Sequence, residues 1–272
     1  MTTEDKIAQV KDLRPIDDVF FEVLADGEEG RGVCEEILRV ILDDENLVVK
    51  DVIVQSSKKN IYGRSVRLDA LCITETGKRV NVEVQRSDKD DHLRRARFNS
   101  ASITVKDSNA GENFRDVTDV YVVYISQFDI FKGNQPIYHV DKVVRETGEV
   151  IDDGDHEIFA NTAVDDGSTV SELMACFLQK NVDNPKFPRL SNRVKELKLT
   201  EGGAEAVCEV MERYQAEAVK KAERETGIIA TVESAVAFNA SRAQAIKQLM
   251  NKYQLSEAEA AEQCEKYAPT LV

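Results

Sequence analysis

Residues 64–85 read RSVRLDALCITETGKRVNVEVQ, and their side-chain rhythm decides the fold. Within Ser65–Thr74, Val66, Leu68, Ala70 and Cys72 fall on one side of an extended chain, and Arg67, Asp69 and Leu71 on the other. Arg79–Gln85 alternates strictly, with Val80, Val82 and Val84 against Asn81, Glu83 and Gln85. Successive side chains of a strand point to opposite faces, so this period of two marks two strands. Glu75-Thr76-Gly77-Lys78 between them supplies a glycine-bearing turn, and the segment reads as a hairpin. Asp69 sits among apolar neighbours, where an unpaired carboxylate is costly, and Glu83 lies on the polar face of the partner strand. The turn can bring both carboxylates to one side of the sheet. Two such groups suit Mg2+, which takes oxygen ligands, keeps several waters and bridges to substrate phosphate. There it acidifies a water and neutralises charge on a phosphodiester. Gln85, two residues after Glu83, points the same way. The same spacing also fits an ordinary polar sheet face, or an ion pair with Arg67 or Arg79.

Upstream of the hairpin, Pro15 favours a helix start and predicts a helix over Ile16–Ala25. Asp26–Gly32 reads as a Gly- and Glu-rich break. A second helix follows over about Gly32–Leu42, with Val33, Ile37, Ile41 and Cys34, Leu38, Leu42 at four-residue spacing. Leu47–Gln55 is β-branched and strand-like, and Ser56–Gly63 is a polar turn. Downstream, His92–Val105 reads as a helix with a basic first half. Asp119–Ser126 (DVYVVYIS) is a continuous apolar run, as in a buried central strand. Ile137–Val144 and Val150–Phe159 flank a second hairpin turn at Glu146–Glu149. From about Ser171 the pattern turns helical. Val232–Leu249 and Ser256–Tyr267 read as two helices, the second opened by a Ser256/Glu259 capping box. The predicted fold class is α/β: a mixed β-sheet core flanked by helices, with a helical C-terminal appendage. The expected division is a domain over 1–199 and a helical tail over 200–272.

Composition narrows the class of function. The 272 residues are 42% hydrophobic, enough for a sizeable core. No apolar run approaches the roughly 20 residues of a membrane-spanning helix, and the N-terminus has no secretory pattern. The five cysteines are scattered without a CxxC pair, which suits reduced thiols in a cytoplasmic protein. A net charge of -14 argues against nucleic-acid binding over the whole surface. The charge is uneven, however: residues 58–97 carry eleven Lys/Arg against six acids. Such a basic island is a candidate phosphate-contact surface, or else a solvated face.

Several motifs in order resemble one family. They are Arg14-Pro15-Ile16-Asp17-Asp18-Val19-Phe20-Phe21, the helix Glu35–Leu42, Leu68-Asp69-Ala70-Leu71, and the string GKRVNVEVQ over Gly77–Gln85. The arginine-rich Leu93–Ser102, the strand and aromatic extension Val120–Phe131, and Tyr138-His139 follow. Over Leu13–Phe159 the chain resembles the PD-(D/E)xK nuclease-family transposases, also called recombination-promoting nucleases. The resemblance implies a restriction-endonuclease-like core, with 1–199 a nuclease-like domain in which Asp69 and Glu83 hold Mg2+ or Mn2+ and Gln85 takes the place of the motif's lysine. Glutamine orients a water but adds no charge, so a second metal or a nearby arginine has to supply it; Arg95, in the matching basic helix, is the candidate, with a plain surface arginine as its alternative. Asp69, Glu83, Gln85 and Arg95 thus form the candidate catalytic set. Lys58, Lys59, Arg94, Arg95 and Arg97 are candidates for gripping double-stranded DNA through its phosphates. Glu36 is a further acidic candidate, with simple solvation as its alternative, and Glu35 shares that alternative. His92, His139 and His156 read as local hydrogen-bonding residues.

Three functions remain open: a metal-dependent DNA endonuclease, with a link to recombination or mobile DNA; a weak or inactive DNA-binding module that retains the nuclease fold; and an interaction factor working through the acidic tail. The tail leaves open docking or a homodimer.

Overall fold

A computed structural model describes residues 2–58, 66–89 and 91–269, with side chains except at 56–58 and 66. The chain falls into two compact units, Met1–Val210 and Met211–Val272.

In the first unit, α1 (Thr3–Val10) leads to α2 (Asp18–Ala25) and α3 (Gly27–Ile41). Five elements follow: β1 (Val49–Lys58), β2 (Val66–Thr74), β3 (Arg79–Gln85), α4 (His92–Asp107) and β4 (Val120–Ser126). Next come β5 (Ile137–Val140), β6 (Lys142–Val143), β7 (Val150–Ile151) and β8 (Asp155–Asn161). Helices α5 (Thr169–Phe177) and α6 (Pro188–Leu199) complete it, with the start of α7 (Glu201–Ala237). Six strands form one mixed sheet in the order β1-β2-β3-β4-β8-β5. The pairs β1/β2 and β2/β3 are antiparallel, β3/β4 and β4/β8 parallel, and β5/β8 antiparallel. The chain is therefore α/β, with a mixed sheet flanked by helices and further helices at its C-terminal end, consistent with a restriction-endonuclease-like fold.

The alternation read from the sequence sets the two faces. Leu71, Asn81 and Val122 stand side by side on one face, and Cys72, Val80 and Tyr121 on the other. Helix α4 covers the first face. Its Ala96 packs with Val122, Tyr124 and Phe159, and its Ile103 with Leu68, Leu71 and Val120. β4 is buried along nearly its whole length, as a parallel strand between two neighbours must be. The expected second hairpin divides in two: β6 and β7 pair as a short exposed ladder, and β5 and β8 join the main sheet.

Two helical expectations are corrected. Asp26–Gly32 is not a break. Only Asp26 is non-helical, and α3 starts at Gly27. Gly30 and Gly32 serve close packing, because a Cβ on Gly30 would run into the Ala25 carbonyl and one on Gly32 into the Arg189 side chain, whereas Gly27 adopts a left-handed φ of 74°. In the C-terminal stretch, Val232–Leu249 is not one helix. α7 ends at Ala237, Asn239 adopts a left-handed φ of 52°, and α8 (Arg242–Tyr253) begins behind a Ser241/Gln244 capping box. α9 (Glu257–Tyr267) has the expected Ser256/Glu259 box. These helices bury Ile228, Val232, Leu249 and Cys264 in the small core of the second unit. All five cysteines are free and buried.

A buried ammonium ties the start of the first unit to its helices. Lys198 of α6 is 3% exposed and donates to the carbonyls of Lys11, Leu13 and Lys180. The segment leading to α2 is thereby held in place.

Candidate metal and catalytic site

The β2–β3 ladder ends at Ala70↔Val82, one residue pair before Asp69 and Glu83. Beyond that point side chains replace backbone bonds. The Asp69 N–H donates to Glu83 Oε1 at 3.3 Å, and the Val84 N–H donates to Asp69 Oδ2 at 3.1 Å. On the other side of β2, Gln55 adopts a left-handed φ of 51° between the pairs Val54↔Ala70 and Ser56↔Leu68. Asp69 and Glu83 therefore share one face where the sheet opens, as the alternation predicts.

Glu83 is 1% exposed and carries three further constraints. Asn81 Nδ2 donates to its Oε1 at 3.0 Å, and Arg95 Nη2 from α4 reaches its Oε2 at 3.2 Å. Tyr124 stands beside Glu83 in the β3/β4 register, and Phe159 beside Tyr124. Asp69 is half-buried, and Oδ1 has no hydrogen-bond partner among the described residues. Burial raises both carboxyls above their ordinary range. For Asp69 the nearby Glu83 charge adds to burial; for Glu83 the Arg95 guanidinium and the Asn81 amide oppose it. Ionising both sets two negative charges beside the Arg95 guanidinium.

The other candidates are placed as follows. Gln85 lies at the half-buried end of β3, and its Nε2 donates to the Ser87 carbonyl at 2.8 Å. Arg94 is exposed and meets Asp91 at 3.3 Å. Arg97 is exposed on α4, and its charge acts on Glu157. Lys59 lies outside the described residues, as does the side chain of Lys58. Glu36 is not at the site: its carboxylate accepts the Arg189 N–H at 3.1 Å and the Leu190 N–H at 2.9 Å, and so caps α6. Nor is Glu35 merely solvated. It is 8% exposed, accepts the Val49 N–H at 3.0 Å and pairs with Arg39 at 2.9 Å.

Two acids of α2 reach the same region without having been singled out in the sequence. Asp17, 6% exposed, pairs with Arg86 at 2.7 Å and accepts the Arg14 N–H at 2.7 Å, which ties the start of α2 to the end of β3. Asp18 is exposed, yet the protein crowded about it raises its carboxyl, against Arg86 and Arg95. Its charge in turn raises the Asp69 carboxyl, so it flanks the pair. The available signal was an acid opening the helix after Pro15. His92 is a local hydrogen-bonding residue: Nδ1 lies 2.9 Å from the Tyr124 hydroxyl, and Nε2 faces Asp88 at 3.4 Å. His156 stacks on Tyr121 with ring centroids 4.2 Å apart.

Among the described residues no group of three or more His, Cys, Asp or Glu stands ready to hold a metal ion. Two adjacent carboxylates nevertheless fit a cation that supplies its remaining coordination from water, as Mg2+ does. Residues 15–158, more than half of the chain, match the family model described as PD-(D/E)XK nuclease family transposase. No curated protein and no solved structure matches.

Proposed function

The chain belongs to the PD-(D/E)XK nuclease family transposases, and on that footing we propose that it is an endonuclease that hydrolyses phosphodiester bonds of double-stranded DNA with Mg2+ or Mn2+. The observation that carries this reading is the pairing of Asp69 and Glu83 on one face, where the β2–β3 ladder gives out. Bound between these carboxylates, the cation would neutralise phosphate charge and acidify the attacking water.

The chain's own groups do the rest. The Val84 N–H holds Asp69 in place, and the Asn81 amide and Asp69 N–H hold Glu83. Asp18, whose charge acts on Asp69, would add negative charge on the cation's side of the pair. Arg95, about one-third exposed, presents positive charge beside Glu83, where a phosphate would lie. The Gln85 amide, released from the Ser87 carbonyl, orients the attacking water in place of the motif's lysine. Arg94 and Arg97 on α4, with Lys58 and Lys59, contact the DNA backbone without reading sequence. The catalytic domain spans 1–199. The helices from 200 on serve docking or a homodimer, and the protein works in the cytoplasm, in recombination or on mobile DNA. No helix among the described residues is long and apolar enough to cross a membrane.

The test is nicking of supercoiled plasmid with Mg2+ by wild type, Asp69→Ala and Glu83→Ala. Nicking by wild type alone supports the endonuclease, whereas equal nicking by all three defeats it. Binding without nicking favours the second reading, an inactive DNA-binding module. That alternative draws on one observation: the Gln85 amide is bonded to the Ser87 carbonyl and adds no charge at the site.

A further inference from the structure

Helix α4 runs back along β3, and matched contacts mark the alignment. Arg95 meets Glu83 at 3.2 Å, and Asp107, three helical turns on, meets Arg79 at the start of the strand. Ile103 packs on Leu71, the cross-strand neighbour of Asn81. A helix advances about 6 Å in four residues and a strand about 6.6 Å in two. Asn99, four residues after Arg95 and four before Ile103, therefore stands over Asn81, two residues before Glu83.

Both amides are wholly buried, at 0% exposure. Asn81 Nδ2 donates to Glu83, because a carboxylate only accepts, and so Asn81 Oδ1 must point away. That Oδ1 has no partner, and neither Nδ2 nor Oδ1 of Asn99 has one. Three orphaned polar atoms in an interior are costly and are ordinarily satisfied by an ordered water. The two amides do not bond each other directly. A single water between them can donate to Asn81 Oδ1 and exchange hydrogen bonds with Asn99.

We propose that Asn99 is a positioning residue: through one buried water it holds the Asn81 amide with its NH2 turned to Glu83. Without that water Asn81 Oδ1 has no partner, and the amide is fixed only by its one bond to Glu83. The role assigned to Glu83 rests on the endonuclease reading above; the water bridge does not.

The test has two arms. Water–amide cross-relaxation in wild type reads the bridge directly and needs no activity. One long-lived water with cross-peaks to the side-chain amides of both Asn81 and Asn99 is expected, and its absence overturns the inference. The second arm compares Asn99→Leu with Asn99→Ser. Leucine keeps the volume but leaves Asn81 Oδ1 without its water, so thermal unfolding falls modestly, while kcat for nicking falls about tenfold with KM for DNA unchanged. Serine keeps a hydroxyl and leaves room for the water, so it restores kcat. A leucine variant with wild-type kcat, or a serine variant as slow as leucine, overturns the positioning role. If wild type does not nick, the endonuclease reading fails by itself and the first arm still decides the bridge.

Discussion

Asp69 and Glu83 exchange places with the backbone of their sheet: the main-chain N–H of Asp69 binds the Glu83 carboxylate, and the Asp69 carboxylate binds the N–H of Val84. A regular antiparallel ladder would use those donors between strands. Here they hold two acids side by side at the point where β2 and β3 part.

That arrangement makes metal-free stability depend on pH. Burial raises both folded-state carboxyls above their unfolded values. Their contribution is therefore complete below the ordinary carboxylate range and is lost as pH climbs through the raised values. Thermal unfolding in chelator should show the protein losing stability on the way from about pH 4 towards neutrality. Asp69→Asn should flatten the curve and abolish nicking. A variant with the wild-type slope would count against the charged pair.

Arg95 is the cation on Glu83 and is itself about one-third exposed. Removing one partner of a buried pair costs about 3–5 kcal/mol, and here the loss should be nearer ~2 kcal/mol because Glu83 can take up a proton instead. Arg95→Ala should also suppress nicking, and Arg95→Lys should recover stability better than rate. Denaturant melts and single-turnover cleavage together read both effects.

Glu36 makes the opposite case. Its carboxylate caps α6 at Arg189 and Leu190. Glu36→Ala should cost ~1 kcal/mol, the usual worth of a cap, and leave nicking per folded molecule intact. Loss of activity without loss of stability would return Glu36 to the site.

DNA affinity should fall with salt. With about three phosphate contacts from α4, binding to duplex should weaken roughly 40-fold between ~50 and ~200 mM salt. Arg94→Ala should lower the salt slope by about 1 without changing sequence preference. A binding constant indifferent to salt would rule out phosphate contact through this helix.

Gln85 offers a test of the missing lysine. Its amide bond to the Ser87 carbonyl is exposed, so Gln85→Ala should change stability by less than ~0.5 kcal/mol. If the amide orients the attacking water, kcat should drop about a hundredfold, at the lower end of what a lost hydrogen-bonding group at the reacting centre costs. An unchanged kcat would leave Gln85 without a role.

The hairpin, its two faces and the common side of Asp69 and Glu83 follow from a period of two, which any strand imposes on its own side chains. The Ser256/Glu259 capping box was equally local, three residues apart and readable on sight. Other features needed the tertiary structure. Glu36 caps a helix that begins more than 150 residues later, so nothing near it in sequence reveals its partner. Gly30 and Gly32 looked like turn formers because close packing and chain reversal select the same residue. Asp18 reaches the site only because Asp17 and Arg86 tie α2 to the end of β3. Asn99 stands over Asn81 only because α4 runs antiparallel to its strand. The sequence alone determined which side chains share a face, since that is set by the covalent chain within a few residues. Which distant groups meet at Glu83 was decided by packing, since burial and hydrogen-bond partners arise only when separate elements come together.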